Sequence, residues 1–382
     1  MQAFVNGAVL ANGHISDGLA VIVDDGRIVS IVDAEQLPAA CENVRDLAGC
    51  YLLPGFIDAQ VNGGGGLLFN DRPDVDCIST IAAAHRRFGT TGIMPTMISD
   101  ELDIVRRAMT ATEEAIDAGV AGVVGIHIEG PFLNPDRRGV HDPHKLRRLT
   151  TGIADAIKPI RNGATLLTIA PEAAEPDAIR LLARKGIIVA AGHTNASYAE
   201  TMAAIGQGLR GFTHLFNAMS QIGSREPGVV GAALDCDETW AGIIADGHHV
   251  SPVSVRVAYR CKGPDRLMLV SDAMPPVGSE ITEFSLLGRR VTVDGIVCRD
   301  INGTLAGTAA NMGTAVRNII EFTGCSLADA SRMASLSPAR FLRLDADIGS
   351  IQVGKRADFT IIDRKLCIKT TIIGGEVVSQ SS

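Results

Sequence analysis

Residues 122–130 read GVVGIHIEG, a Val/Ile run the length of one strand, bounded by glycines, that carries His127 and Glu129 before Pro131 stops it. Runs of the same aliphatic kind recur along the chain, at 52–60 (LLPGFIDAQ), 92–99 (GIMPTMIS), 164–172 (ATLLTIAPE), 186–194 (GIIVAAGHT), 211–219 (GFTHLFNAM), 240–249 (WAGIIADGHH) and 266–274 (RLMLVSDAM). Helix-like segments separate several of them, including 76–89, 101–119 and 197–208; Gly119 and Gly208 are placed to serve as C-caps. Strands alternating with helices signal parallel βα units, and eight such strands imply an α/β chain closed into a (β/α)8, TIM-type barrel.

The two chain ends read differently. FVNGAVL and GLAVIVDDGRIVSIV near the start, and IGSIQVGKRADFTIIDRKLCIKTTIIGGEVV near the finish, are β-branched runs punctuated by NG, DG, GK and GG turns. The expected organisation is therefore a small β-sandwich domain built from residues 1–50 and 345–382, flanking a barrel over 51–344. A chain of 382 residues accommodates both, since such a barrel takes roughly 250. A formal charge of −8 lacks the basic surface that nucleic acid or an anionic membrane would require, so neither is an expected partner. Eight scattered cysteines without a CxxC pair read as reduced thiols. No basic leader and no apolar run of about 18 residues is present, so the expected location is cytoplasmic.

In barrels of this kind chemistry gathers at the C-terminal ends of the strands. Those ends here offer His127 and Glu129, His193, His214, then Asp246 with His248 and His249, and finally Asp272. Two imidazoles and one carboxylate suit a catalytic divalent site with an open position, which points to Glu129, His193 and His214 as ligands. Zn²⁺ is the first expectation; Fe²⁺, Co²⁺ and Mn²⁺ accept the same ligands. Hydrolysis needs a carboxylate to move protons, and Asp272, after the apolar LMLV, is the candidate. His248 and His249 are adjacent, so at most one faces a substrate if the backbone is extended.

The motifs resemble those of the amidohydrolase superfamily, and within it the N-acetylglucosamine-6-phosphate deacetylases. The resemblance runs over essentially the whole chain: LLPGFIDAQVNG, GIHIEGPFLNP with GVHDP, AGHTNAS, THLFNAM with GSREPG, IIADGHHV, LVSDAM, GTLAGT and VGKRADFTIID. It implies hydrolysis of N-acetyl-D-glucosamine 6-phosphate to glucosamine 6-phosphate and acetate, with one divalent metal per subunit on Glu129, His193 and His214. Asp272 would be base and then acid, and His141 would polarise the acetamide carbonyl. Substrate contacts would fall to Val140, Asn217, Ala218, Arg225, Asp246, His249, Leu305, Ala306 and Gly307. Arg225 would reach a neighbouring subunit's site, which makes a homodimer or a dimer-based homo-oligomer the expected functional unit.

Two alternatives stay open. One is another amidohydrolase, such as the galactosamine epimer's deacetylase or a cyclic-amide enzyme, although ATLLTIAPE lacks the lysine that bridges two metals in the latter. The other is a non-catalytic scaffold, against which the joint presence of Glu129, His193, His214 and Asp272 speaks. Many relatives carry a His-x-His pair on the first strand; here the positions hold Gln60 and Asn62, poor ligands beside imidazole, so a single metal is expected. Gln60 and His127 are then candidates to orient the groups around it.

Overall fold

The computed structural model describes residues 1–39 and 41–380. All eight barrel strands form: β1 (Phe56–Val61), β2 (Thr90–Ile98), β3 (Gly125–Glu129), β4 (Ala164–Ile169), β5 (Ile188–Ala191), β6 (Leu209–Phe212), β7 (Trp240–Ile243) and β8 (Leu267–Leu269). They lie side by side in chain order, every neighbouring pair parallel. The seam between β1 and β8 closes by other means. Val61 bridges Ala273, the N–H groups of Asn62 and Gly63 both donate to the Ala273 carbonyl at 2.9 Å, and the Asp58 carboxylate accepts from Ser271 N at 3.2 Å and from Ser271 Oγ.

Helices α1 (Val75–Arg86), α2 (Leu102–Asp117), α3 (Thr151–Ala156), α4 (Ala178–Arg184), α5 (Tyr198–Gly206), α6 (Gly228–Asp235) and α7 (Pro252–Arg266, broken at Gly263) follow β1 to β7 in turn. The spacing in α2 shows why they pack: Val105, Ala108, Ala111 and Ala115 recur every three or four residues and are buried. Outward strand residues such as Ile126, Ile128, Leu167 and Val189 meet these helices. Inward ones, including Ile57, Leu166, Ile188 and Met268, fill the barrel, and Phe341 of α10 (Leu336–Phe341) plugs its floor against Trp240. α8 (Met312–Thr323) and α9 (Leu327–Ala334) precede α10.

LLPGFIDAQ, expected as one strand, divides at Gly55. Tyr51–Pro54 joins a six-stranded sheet with Ala8–Ala11, His14–Ser16 and the late strands Phe359–Ile362, Ile368–Ile373 and Glu376–Gln380. A Cβ on Gly55 would lie 2.0 Å from Thr91 Oγ1, so only glycine lets the chain pass from one sheet to the other here. A four-stranded sheet of Gln2–Val5, Leu19–Asp24, Arg27–Asp33 and Asn43–Asp46 faces the first across a shared core of Phe4, Val21, Leu52, Phe359 and Ile372. The Phe4 and Phe359 rings, one contributed by each terminal segment, meet edge-on at 5.2 Å.

A further four-stranded meander (Glu283–Leu286, Arg289–Asp294, Val297–Asp300, Leu305–Thr308) lies between β8 and α8 and was not foreseen. Its turn signals, Asp294–Gly295 and Asn302–Gly303 between β-branched runs, are present in the sequence. Among the described residues no helix is long and apolar enough to cross a membrane.

Candidate active site

Glu129 ends β3, His193 and His214 follow β5 and β6, and Asp272 follows β8. The last three have positive φ, at 50°, 33° and 51°. Such backbone costs about 1–3 kcal/mol per residue and persists only where the surroundings enforce it, as at strand ends that turn their side chains onto one point.

That point is well defined. His214 Nε2 lies 3.0 Å from Glu129 Oε1 and 3.0 Å from His193 Nε2, and His193 Nε2 lies 3.4 Å from the same carboxylate oxygen. Tetrahedral ligands about 2.0–2.1 Å from Zn²⁺ stand roughly 3.3 Å apart, so these three atoms match one face of a coordination shell. Two facing imidazole nitrogens also need a shared cation or proton between them. The His193 ring is set by Nδ1–H donating to the Arg137 carbonyl at 2.8 Å, which leaves Nε2 as a lone-pair donor. His214 Nδ1 is buried without a partner. Burial alone would raise Glu129, but its hydrogen bonds and charge interactions with both histidines hold it well below the usual carboxylate range. Burial likewise pulls His214 down, and Glu129 more than offsets it. The donor set fits a divalent cation.

Gln60 and Asn62 support this centre without entering it. Gln60 Nε2–H donates to Glu129 Oε1 at 3.0 Å, and Asn62 Nδ2–H donates to Asp272 Oδ1 at 2.7 Å. His127 sits beneath, its ring nitrogens 2.8 Å from Thr168 Oγ1 and 3.4 Å from Thr96 Oγ1, and burial lowers it to about 4. Asp272 is raised to about 6, by burial first and then by the charge of Glu129, against the opposing pull of His214, His249 and the Asn62 bond. A carboxyl raised toward neutrality is suited to exchange protons.

His141 is fully enclosed, and its ring centroid is 4.5 Å from that of His193. Its Nδ1 accepts the Ser99 N–H at 3.3 Å and lies 2.7 Å from Ser99 Oγ. A backbone N–H can only donate, so the ring proton is on Nε2. Burial, then the nearby His193, lowers His141 to about 3, so the ring stays neutral and Nε2–H remains a hydrogen-bond donor.

A pocket of about 380 Å³ opens above the centre, lined by Glu129, His193, His214 and Asp272 together with Val140, His141, Asn217, Ala218, His249, Leu305 and Gly307. Asp246 is not in the lining. Its Oδ1 accepts the N–H groups of His248 and His249 at 2.8 Å each, and Oδ2 accepts from His249 Nδ1 at 2.7 Å, so it aims His249 at the pocket while His248 is exposed. Ala306 is not in the lining either; it packs with Leu68, Ile98 and Met274 under the meander. Arg225 lies in an exposed loop outside its own chain's pocket. The cations that do line it, Arg137 and Arg299, lie outside the set expected from the sequence. Arg299 belongs to the unforeseen meander. Glu172, at the end of ATLLTIAPE, was also unassigned; it accepts from Asn134 Nδ2 (2.9 Å), Asn195 N (2.6 Å) and Thr194 Oγ1 (2.6 Å) and so locks the loops around His193.

Comparison with known proteins gives the family. Residues 51–378 match the amidohydrolase family, and residues 1–52 match the NagA composite domain. An N-acetylgalactosamine-6-phosphate deacetylase of Shewanella sp. (strain ANA-3) is 41% identical over 98% of this chain and 95% of its own length. An N-acetylglucosamine-6-phosphate deacetylase of Haemophilus influenzae is 33% identical over 98% of both. Among solved structures, the N-acetylglucosamine-6-phosphate deacetylase of Pasteurella multocida superposes with a TM-score of 0.92 at 35% identity, covering 100% of both chains. A Mycobacterium smegmatis N-acetyl-D-glucosamine-6-phosphate deacetylase, solved as a mutant in complex with N-acetyl-D-glucosamine-6-phosphate, superposes with a TM-score of 0.90 at 30% identity, covering 99% of both. With its barrel and its Glu–His–His centre, the chain belongs to the amidohydrolase family.

Proposed function

We propose that this chain hydrolyses N-acetyl-D-glucosamine 6-phosphate to D-glucosamine 6-phosphate and acetate, a step of amino-sugar catabolism or recycling. The observation that carries the reading is the meeting, in one pocket, of the Glu129–His193–His214 donor set, a raised Asp272 and a neutral, donor-oriented His141. One divalent cation, Zn²⁺ first, would be held by the three ligands and would acidify a water and polarise the amide carbonyl. Asp272 takes the water proton as oxygen bonds to the carbonyl carbon. His141 Nε2–H donates to the oxygen that gains charge. Asp272 then returns the proton to nitrogen as the C–N bond breaks, which releases the amine.

Substrate phosphate would be received by His249, Arg137 and Arg299 of the same chain, and by Arg225 of a neighbouring copy in a homodimer; an exposed arginine beside Pro227 and Gly228 supports that last role. The pocket's small-residue wall at Asn217, Ala218 and Gly307 would take the sugar. Eight free cysteines suit a cytoplasmic setting.

The galactosamine epimer is a second reading, favoured by the 41% identity to the Shewanella enzyme. Acetate release measured side by side on both 6-phosphate epimers and on unphosphorylated N-acetylglucosamine separates the two. Asp272→Asn should retain metal and lose about 10²–10⁴-fold in kcat. Equal turnover of the unphosphorylated sugar would overturn the phosphate assignment.

A further inference from the structure

The opposite end of the barrel carries a second polar cluster that the reaction does not use. Arg210, Trp240 and Arg266 stand at the starts of β6, β7 and β8, which are neighbours, so their side chains meet at the floor. The guanidinium carbons of Arg210 and Arg266 lie over the Trp240 ring, 4.3 and 3.8 Å from its centroid. With Arg340, Asp265 and Asp345 these residues line a pocket of about 450 Å³.

Donors in this pocket outnumber acceptors. Asp265 is already paired, with Arg340 at 2.8 Å and Arg332 at 3.3 Å. Arg210 donates from Nε and Nη2 to the Phe341 and Arg340 carbonyls at 3.0 and 2.9 Å, whereas Arg266, and Arg343 just outside the lining, have no ion pair or side-chain hydrogen bond among the described residues. Trp240, only 5% exposed, keeps a buried Nε1–H with no acceptor, which native structures seldom leave. Burial, then repulsion from Arg343 and Arg266, lowers the Arg210 pKa, and Asp345 offsets this only in part. All this stands on a protein of net charge −8, so the local excess is not a property of the whole surface.

We propose that the floor pocket binds a small polyol phosphate monoester. Guanidinium groups match phosphate oxygens in geometry and charge. Two guanidiniums stacked on Trp240 leave little open ring for a nucleobase, and the volume exceeds what a bare phosphate fills. Asp345, whose carboxylate has no ion pair among the described residues, would repel a free dianion but accept from a hydroxyl of an ester.

Trp240 is the sole tryptophan, so its fluorescence reports this pocket directly. Titration of the full-length protein with glucose 6-phosphate, which has no acetamide to hydrolyse, should give a saturable change, with inorganic phosphate at least threefold weaker and sodium chloride at equal ionic strength inert. Arg266→Gln and Arg343→Gln should each weaken glucose 6-phosphate at least fivefold while deacetylation proceeds at the wild-type rate. If loss of the stack unfolds the Arg266 variant, Arg343→Gln, whose parent side chain is exposed, carries the test. Absence of saturation, an equal effect of chloride, or equal binding by a folded variant would overturn the proposal. Equal half-saturation for phosphate and its ester would overturn the ester.

Discussion

Gln60 and Asn62 stand at the first-strand positions where the resemblance leads one to expect a His-x-His pair, and each hydrogen-bonds to a group that the proposed chemistry uses. Asn62 donates to Asp272 and so favours the ionised carboxylate. Asn62→Ala removes that support, and the Asp272 pKa should rise. The acidic limb of the kcat/KM profile should then move to higher pH, by roughly one unit for one buried charge-assisted bond. An unmoved limb would separate Asn62 from the titration of the base. The double variant Gln60→His with Asn62→His should raise divalent metal above one per chain by metal analysis. No rise would show that the second centre lacks more than these two ligands.

At the level of elements, the seam between β1 and β8 depends on Asp58, whose carboxylate accepts from Ser271 N, Ser271 Oγ and Gln60 N where a ladder would otherwise run. Burial raises Asp58 to about 7 despite those bonds. A carboxyl raised in the folded state favours folding while both states are protonated, and that contribution falls as pH climbs from about 4 to 7. Buried neutral histidines such as His127 and His85, both lowered to about 4, act in the opposite sense, losing stability as pH falls from 6.5. The difference between wild type and Asp58→Asn isolates the carboxyl: the variant should gain on wild type as pH rises from 4 to 7 in urea unfolding. A constant difference would remove Asp58 from the pH dependence. Gly55→Ala, which drives a methyl into Thr91, should cost about 1–3 kcal/mol in the same assay.

On the scale of the molecule, the two chain ends share one sheet and one core through Phe4 and Phe359, and the meander after β8 brings Arg299 to the pocket. Arg225 is exposed and outside the lining of its own chain's pocket, which leads to a mixing test of the proposed dimer. Arg225→Ala and Asp272→Asn chains, each weak alone, should regain activity when co-refolded if the arginine acts across subunits. No recovery would confine it to its own chain. Much was legible from residues: eight aliphatic runs with period-marking glycines set the barrel, because buried parallel strands need little else, and His193, His214, Glu129 and Asp272 stood out as polar groups ending apolar runs. Alternation and turn residues are local signals, so the sequence by itself determined the barrel strands and the polar groups at their ends, though not the meander after β8. It could not say that Tyr51–Pro54 leaves the barrel at Gly55, that Gln60 binds Glu129 and Asn62 binds Asp272, or that Arg299 lines the pocket while Arg225 does not. Those depend on which distant strands become neighbours, and only the closed tertiary structure decided them.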